Sequence, residues 1–402
     1  MAKKSYNEEQ IGFIVHQKVV SRRSFDEIAM KYNKKFDDDL NEVDVKTIYE
    51  RYKNQNVKGG EEHSLKQLKD VARVKKSNSI TAKENKTILQ LWNDRDDILD
   101  AVRAAAKEVG KLKVPTLKRI KSKKKKGMTK ELLLSDIHFG KLIEAGDVDS
   151  FKKPFNLEIC KQRLQEIVAK TIGEIERDSK EYNIDEIVIA LMGDIIENYS
   201  MHVLESAKGC EFGNAKQIYE ALVNIFKIVI VPLNQLGIPI RVVAVTGNHD
   251  RDGVNRTYHN PGEENFTHII YNTIKDFCEI GGLKNIEFVI PKEPWAVIKI
   301  YGNTVLYEHY DNCKNADRKG LEALMVKRSN QLSMPLDYMR GGHFHEPTSF
   351  RNGRIQINGS LTGTDSFASV LGFNAEASQT LNSFVNSNRR YKMYKSFNIL
   401  LE

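Results

Sequence analysis

The chain has 402 residues, 29% charged and 40% hydrophobic, with a formal net charge of +8, a composition ordinary for a soluble protein and long enough for two or three domains. No apolar run approaches the roughly 18–20 residues of a membrane span; the best candidate, Ala221 to Leu233, is interrupted by Asn224, Lys227 and Pro232, so no membrane partner is expected. The start, MAKKSYNEEQ, lacks the apolar stretch of a secretory signal, and Cys160, Cys210, Cys278 and Cys313 form no CxxC pair, which predicts free thiols in a reducing cytoplasm.

Charge is spread unevenly. Residues 1–127 hold 31 Lys/Arg against 19 Asp/Glu, and the remainder holds 31 against 35. The basic excess belongs to the N-terminal third and points to nucleic acid as its partner; a merely solvated basic surface is the alternative. Tyr6 to Ser21 carries Ile11, Ile14, Val15 and Val19 along one helical face. Ser24-Phe25-Asp26-Glu27 is a capping box, in which serine and the glutamate three residues on satisfy each other's backbone N–H. It opens a second helix with Ile28, Ala29 and Tyr32 as its buried stripe. After a polar turn, Asp37 to Asn41, Val43 to Tyr52 reads as a third helix.

Three short helices within 1–60 resemble a helix-turn-helix DNA-binding domain. The resemblance implies Lys46, Thr47 and Arg51, with Tyr49, Glu50 and Lys53, on or near a recognition helix. The turn is longer than the usual three or four residues, and Asp37, Asp38 and Asp39 would repel phosphate. A small helical domain for homo-oligomerisation or partner docking is the competing reading. Residues 61–127 read as a basic helical linker. Within it, Asn85 to Lys111 is amphipathic, with Ile88, Leu91, Trp92, Ile98, Leu99, Val102 and Val109 needing something to pack on. Lys121 to Gly127 ends the linker as a solvated basic run.

Residues 128–402 alternate strands and helices and read as a catalytic domain. Leu132–Leu134 delivers Ser135-Asp136-Ile137-His138-Phe139-Gly140. A charged helix from about Leu157 to Lys180 follows. Ile187–Met192 then delivers Gly193-Asp194-Ile195-Ile196-Glu197-Asn198. A helix from about Asn214 to Val231 leads to Arg241–Val245, which delivers Thr246-Gly247-Asn248-His249-Asp250. Strands at Ile286–Ile290, Trp295–Ile300 and Thr304–Tyr307 come next, the last delivering Glu308-His309-Tyr310-Asp311. A further strand delivers Gly341-Gly342-His343-Phe344-His345, and Arg354–Asn358 and Phe397–Leu400 complete the set. An α/β architecture places its ligands at the carboxyl ends of strands, and here five strand ends carry donors.

The donors define a chemistry. In Asp136-x-His138 and His343-x-His345 one residue separates two donors, and in extended backbone positions i and i+2 point the same way; each pair is expected to enter one site together. Asp194 offers two oxygens able to bridge cations, Asn248 a neutral carbonyl oxygen, and His309 a further imidazole. Seven N and O donors without a thiolate suit two divalent metal ions in a catalytic site, Mn²⁺ first, with Fe, Zn²⁺ or Ni²⁺ as alternatives, over a structural zinc. Two cations about 3.5–4 Å apart can hold a phosphate and sharpen a bridging water into hydroxide. Each piece alone is explained by a cap or a packed side chain; five together are hard to attribute to chance.

The ordered set Asp-x-His, Gly-Asp-x-x-Glu-Asn, Gly-Asn-His-Asp, an isolated His and Gly-His-x-His spans about residues 128–360 and resembles the calcineurin-like metallophosphoesterase superfamily. The resemblance implies an α/β fold, a β-sandwich of mixed sheets flanked by helices, here preceded by the all-α N-terminal domain. By it, Asp136, His138 and His345 hold one metal, Asn248, His309 and His343 the other, and Asp194 bridges them. His249 is implied as the catalytic histidine, Glu197 stands where many members have an Asp that orients it, and Asp250 orients the loop. Protein Ser/Thr phosphatases of the superfamily carry Gly-Asp-x-Val-Asp-Arg-Gly and Gly-Asn-His-Glu; Glu197-Asn198-Tyr199 and Asp250 turn the resemblance away from them. SDIHFG with GNHD is similar to the nuclease branch that processes DNA double-strand breaks, without that branch's C-terminal arrangement. The basic module and NGSLTGTDSFA resemble phosphoesterases encoded by bacteriophages and prophages, which implies the cytoplasm of a bacterial host.

The activity expected is metal-dependent hydrolysis of a phosphodiester in DNA, with His249 assisting departure. Substrate contacts are expected from Arg251 and Arg256, on the loop from Arg251 to Asn265, and from the segment near His202; plain surface loops are the alternative. A phosphodiesterase or phosphatase acting on a small nucleotide, and a DNA-binding regulator that keeps a phosphoesterase fold, are the alternatives.

Overall fold

The computed structural model describes residues 6–19, 21, 23–52, 96–112, 126–144, 153–200, 209–251, 265–314, 316–363 and 376–402. The chain divides into two compact units, Met1–Asp94 and Arg95–Glu402. In the first, α1 (Glu8–Val19), α2 (Phe25–Phe36) and α3 (Glu42–Tyr52) enclose a small core. Ile11, Ile14, Val15, Ile28, Ala29, Tyr32, Val45 and Ile48 are buried there, the helical spacing having put them on facing sides. The Glu27 carboxylate accepts the Ser24 N–H at 3.1 Å, the returning half of the capping box. Helix α2 ends on Asp37 in the left-handed region, φ 50°. The long turn is held from outside it: the Asn33 amide donates to the Leu40 carbonyl at 2.8 Å and accepts the Leu40 N–H at 2.9 Å.

The second unit is built on two mixed sheets. One runs in the order β11-β10-β1-β2-β3-β4, made of β1 (Gly127–Leu134), β2 (Asn183–Met192), β3 (Ile240–Val245), β4 (Ile286–Val289), β10 (Ser378–Val385) and β11 (Met393–Leu400). Here β1 to β4 are parallel, and β10 runs antiparallel to both β1 and β11. The other runs β5-β6-β7-β9-β8, made of β5 (Trp295–Ile300), β6 (Asn303–Glu308), β7 (Tyr338–Gly341), β8 (Thr348–Phe350) and β9 (Ile355–Ile357). The sheets face each other over Leu133, Val188, Ala190 and Val243 from the first and Ile298, Val305, Tyr307 and Tyr338 from the second. On its other face the first sheet is covered by α4 (residues 96–109), α5 (Leu157–Asp178) and the helices Asn214–Asn234 and Phe266–Ile280. The helix Arg318–Gln331 packs against the second sheet. The expected sandwich of mixed sheets flanked by helices is therefore what this sequence forms.

Several features depart from the sequence reading. Strand β1 starts at Gly127, five residues before the leucine run, because Lys130 and Glu131 are buried on opposite faces of the strand with Asp178 and Arg340 as partners for their charges. Strand β10, SQTLNSFV, was not expected at all: it is polar in sequence and buried at all eight positions. The helix expected to stop at Val231 runs to Asn234, with a π turn at Ile225–Ile230 just before Pro232. Proline cannot donate to the carbonyl four residues back and collides with it; widening the turn accommodates the ring. By length and composition this helix is long and apolar enough to cross a membrane, against the expectation from its polar interruptions, and most of it is buried in the core. The amphipathic segment expected at Asn85 to Lys111 is described from residue 96; Ala105 and Val109 lie in the main core and Glu108 pairs with Lys227 at 2.8 Å. Most of Lys121 to Gly127 lies outside the described residues.

Candidate metal centre

The loops after β1, β2, β3, β6 and β7 converge at one end of the sandwich. The first two are zipped by backbone bonds, Asp136 N to Gly193 O at 3.1 Å, His138 N to Asp194 O at 3.0 Å and Glu197 N to Phe139 O at 3.1 Å. The third is clamped on them by Asp250, whose carboxylate accepts the N–H groups of Asp194 (2.8 Å), Ile195 (3.0 Å) and Gly247 (2.8 Å). Asn198, absent from the expected site, adds a second clamp: its Nδ2 donates to the carbonyls of His249 and Arg251, at 2.6 Å each. Gly247 makes the close approach possible, since a Cβ there would stand 2.2 Å from Asp194 Oδ1.

This folding gathers the expected donors into two groups, beside a third set in which Glu197 and His249 meet His138. Asp136, His138 and His345 bring ligand atoms within 4.8 Å of one another, and so do Asp194, His309 and His343. His345 Nε2 lies 3.2 Å from Asp136 Oδ1 and 3.3 Å from His138 Nε2, while His309 Nε2 lies 3.0 Å from Asp194 Oδ2. The two groups are bridged by the His343 N–H, which donates to the Asp136 carboxylate at 3.1 Å. Asn248 Oδ1 is buried with no hydrogen-bond partner among the described residues. A buried acceptor left unpaired costs about 1–3 kcal/mol, and a cation would satisfy it. Nitrogen and oxygen donor atoms clustered this closely, with an orphaned carbonyl oxygen beside them, fit divalent metal ions.

The donors are not aimed by strand alternation. Asp136 (φ 53°), His138 (53°), Asp194 (51°), His343 (73°) and His345 (61°) all sit in the left-handed region, which non-glycine residues rarely occupy. The i, i+2 argument from extended backbone does not apply, since these residues lie past it: Asp136 and His138 do enter one group, while His343 and His345 join different groups. Glu197 is also placed otherwise than expected. Its Oε2 lies 2.7 Å from His138 Nδ1 and 3.8 Å from His249 Nδ1. The His249 ring is held instead by the main-chain carbonyl of Glu197, to which Nδ1 donates at 2.8 Å.

Electrostatics follow the geometry. Burial opposes ionisation of Glu197, but Lys141, His138 and His249 outweigh it and hold its carboxyl well below the usual range. Lys141, another residue the sequence reading passed over, is largely buried with Nζ 3.7 Å from Glu197 Oε2. Burial, then the neighbouring His309, hold His343 down at about 4, in the neutral form a ligand needs. Burial, then Asp194, push Asp250 up to about 7. Below the loops, Gln379 Oε1 accepts from Ser135 N at 2.9 Å and Asn358 Nδ2 at 2.8 Å, and Ser360 Oγ donates to Asp136 O at 3.1 Å. The available signal for these supports was an uncharged segment dense in amides and hydroxyls.

Of the expected substrate contacts, Arg251 is half-buried and its backbone pairs with Asn265; His202 and Arg256 lie outside the described residues. Lys46, Thr47 and Arg51 are exposed on α3 of the first unit.

No family model matches this chain, and no curated protein does. Solved structures that it resembles include a predicted phosphoesterase from Streptococcus pneumoniae, at 12% identity over 68% of this chain and 98% of that one, TM-score 0.27. Vacuolar Protein Sorting 29 from Cryptosporidium parvum matches at 14% identity over 68% and 98%, TM-score 0.29. An archaeal phosphodiesterase matches at 11% identity over 68% and 99%, TM-score 0.29. Likeness this slight assigns no activity, and the reading of the site rests on its own geometry.

Proposed function

We propose that the protein is a calcineurin-like metallophosphoesterase that hydrolyses a phosphodiester with the help of two divalent metal ions, and that its substrate is DNA. The observation that carries the reading is the pair of donor groups, one of which contains Asp194, with an orphaned Asn248 oxygen and a separately held His249 ring beside them. Asp136, His138 and His345 would hold one ion, Asn248, His309 and His343 the other, and Asp194 would be shared. When bound, the ions would neutralise the phosphate oxygens and make water a better nucleophile. His249, fixed at Nδ1 by the Glu197 carbonyl, would donate a hydrogen bond or a proton to the leaving oxygen. Asp250 and Asn198 would keep that histidine in register by clamping its loop.

DNA as substrate is supported by the basic excess of residues 1–127 and by the exposed Lys46, Thr47 and Arg51. The test is the full chain with Mn²⁺, offered single- and double-stranded DNA and bis(p-nitrophenyl) phosphate. We expect all to be cut. Hydrolysis of the small diester with DNA intact would keep the phosphodiesterase and reject the nuclease; no hydrolysis of any would reject both. Lys46→Glu and Arg51→Glu should weaken DNA binding and lower its salt slope by about one per lost phosphate contact. Binding equal to the parent chain would remove α3 from the DNA contact.

A further inference from the structure

We infer that Glu197 makes the two cation sites unequal, so that the first ion enters the group formed by Asp136, His138 and His345. This rests on the metal-centre reading above. Both groups contain a histidine with Nε2 toward a partner donor and Nδ1 toward a backing oxygen. For His309 the backing oxygen is neutral, the Met192 carbonyl at 2.8 Å. For His138 it is a carboxylate oxygen, Glu197 Oε2 at 2.7 Å, a close charge contact without the alignment of a hydrogen bond, with both side chains almost fully buried. An imidazole with a carboxylate charge against Nδ1 is a more basic ligand than one backed by a neutral carbonyl.

The arrangement is built into the backbone. Phe139 N donates to Ile195 O at 2.8 Å and Glu197 N to Phe139 O at 3.1 Å, so the zipped loops present Glu197 to His138. The same zipping turns the Glu197 main-chain carbonyl to His249. One residue thus serves two histidines through different atoms, and only the carboxylate serves the metal side. The second group's further donor, Asn248, is neutral, and the charge of Asp311 acts on His309 and His343 only after those of Asp194 and Asp136. Lys141, 3.7 Å from Glu197 Oε2, offsets part of the charge.

The experiment is calorimetric titration of the full chain with Mn²⁺. The parent chain should bind in two unequal steps. Glu197→Gln, which keeps the shape and loses the charge, should weaken the tighter step about 10–100-fold and leave the weaker one within about threefold. Asp136→Asn should remove the same tighter step and so identify its site. Lys141→Met, which leaves the carboxylate in place, should tighten that step, and gives an answer even if Glu197→Gln fails to fold. Two equal steps in the parent, a tighter step indifferent to Glu197→Gln, or one loosened by Lys141→Met would overturn the inference. No Mn²⁺ uptake by the parent chain would overturn the metal-centre reading itself, and this inference with it.

Discussion

The loops that carry the donors and the strands directly beneath them treat buried polar atoms in opposite ways. In the strand tier Glu131 of β1 accepts from Arg340 Nε of β7 (3.0 Å), Tyr307 of β6 (2.5 Å) and Asn382 of β10 (2.6 Å). Arg340 also donates to the Gly353 carbonyl (2.9 Å), and Asn382 donates to Gln356 of β9 (2.8 Å). The guanidinium and the carboxylate are fully buried and joined across the gap between the two sheets. In the loop tier the backbone is left-handed at five donors, imidazole nitrogens lie 3.0–3.3 Å from carboxylates and from one another, and Asn248 Oδ1 has no hydrogen-bond partner among the described residues. The contrast has a physical reading. A completed network is stiff, and stiffness below supports the strained left-handed backbone that aims the donors above.

The largest expected effect separates chemistry from binding within the loop tier. His249→Ala should lower hydrolysis of bis(p-nitrophenyl) phosphate by about 10²–10⁴-fold, while calorimetric Mn²⁺ uptake stays at the level of the parent chain. Uptake falling together with activity would make His249 a ligand, and the separate holding of its ring by the Glu197 carbonyl would lose its meaning.

The strand tier is tested by breaking its ion pair. Arg340→Met leaves the Glu131 carboxylate buried without its cation, which should cost about 3–5 kcal/mol of stability in urea unfolding. Adding Glu131→Gln should return much of that, because the penalty lies in the unpaired charge. A single variant costing under about 1 kcal/mol would mean that the tier is not stiff in the sense required.

These two tiers were unequally legible in the sequence. Donors were readable because β2 and β3 are apolar runs that stop abruptly at Gly-Asp and Thr-Gly-Asn-His. The turn to left-handed backbone at Asp136, His138 and Asp194 was not, since hydropathy carries no information about φ. Strand β10 escaped because Gln379, Asn382 and Ser383 are buried by virtue of partners up to 253 residues away in sequence, such as Lys130 for Ser383. The first half of β1 escaped for the same reason. The pairing of Glu197 with His138 depends on how two loops zip, a fact of tertiary structure that spacing along one loop does not contain.

A smaller effect probes the joint between loops. Gly247→Ala would set a Cβ 2.2 Å from Asp194 Oδ1 and 2.4 Å from Asp194 N. Overpacking of this kind costs about 1–3 kcal/mol, and here the backbone must move with it. Mn²⁺ affinity should drop along with stability, because Asp194 is the donor the displaced loop presses upon. A stability loss with metal affinity preserved would show that the loop tier can relax without losing its donors.

The smallest effect concerns the outer face of the strand tier. Lys130, fully buried on β1, is paired there with Asp178 of α5, and Lys395 of β11 lies 2.9 Å from the same carboxylate. Burial raises the Asp178 carboxyl, but the bonds from Lys130 and Lys395 outweigh it and hold it below its ordinary value. A carboxyl whose folded value is depressed contributes stability above its unfolded value, near pH 4, and loses it as pH falls through the folded value. The urea midpoints of the parent chain and Asp178→Asn should therefore differ at pH 7 and converge progressively below about pH 4. If the gap persists unchanged to pH 3, Lys130 is held by packing and by Ser383 rather than by charge, and the strand tier is complete through hydrogen bonds alone.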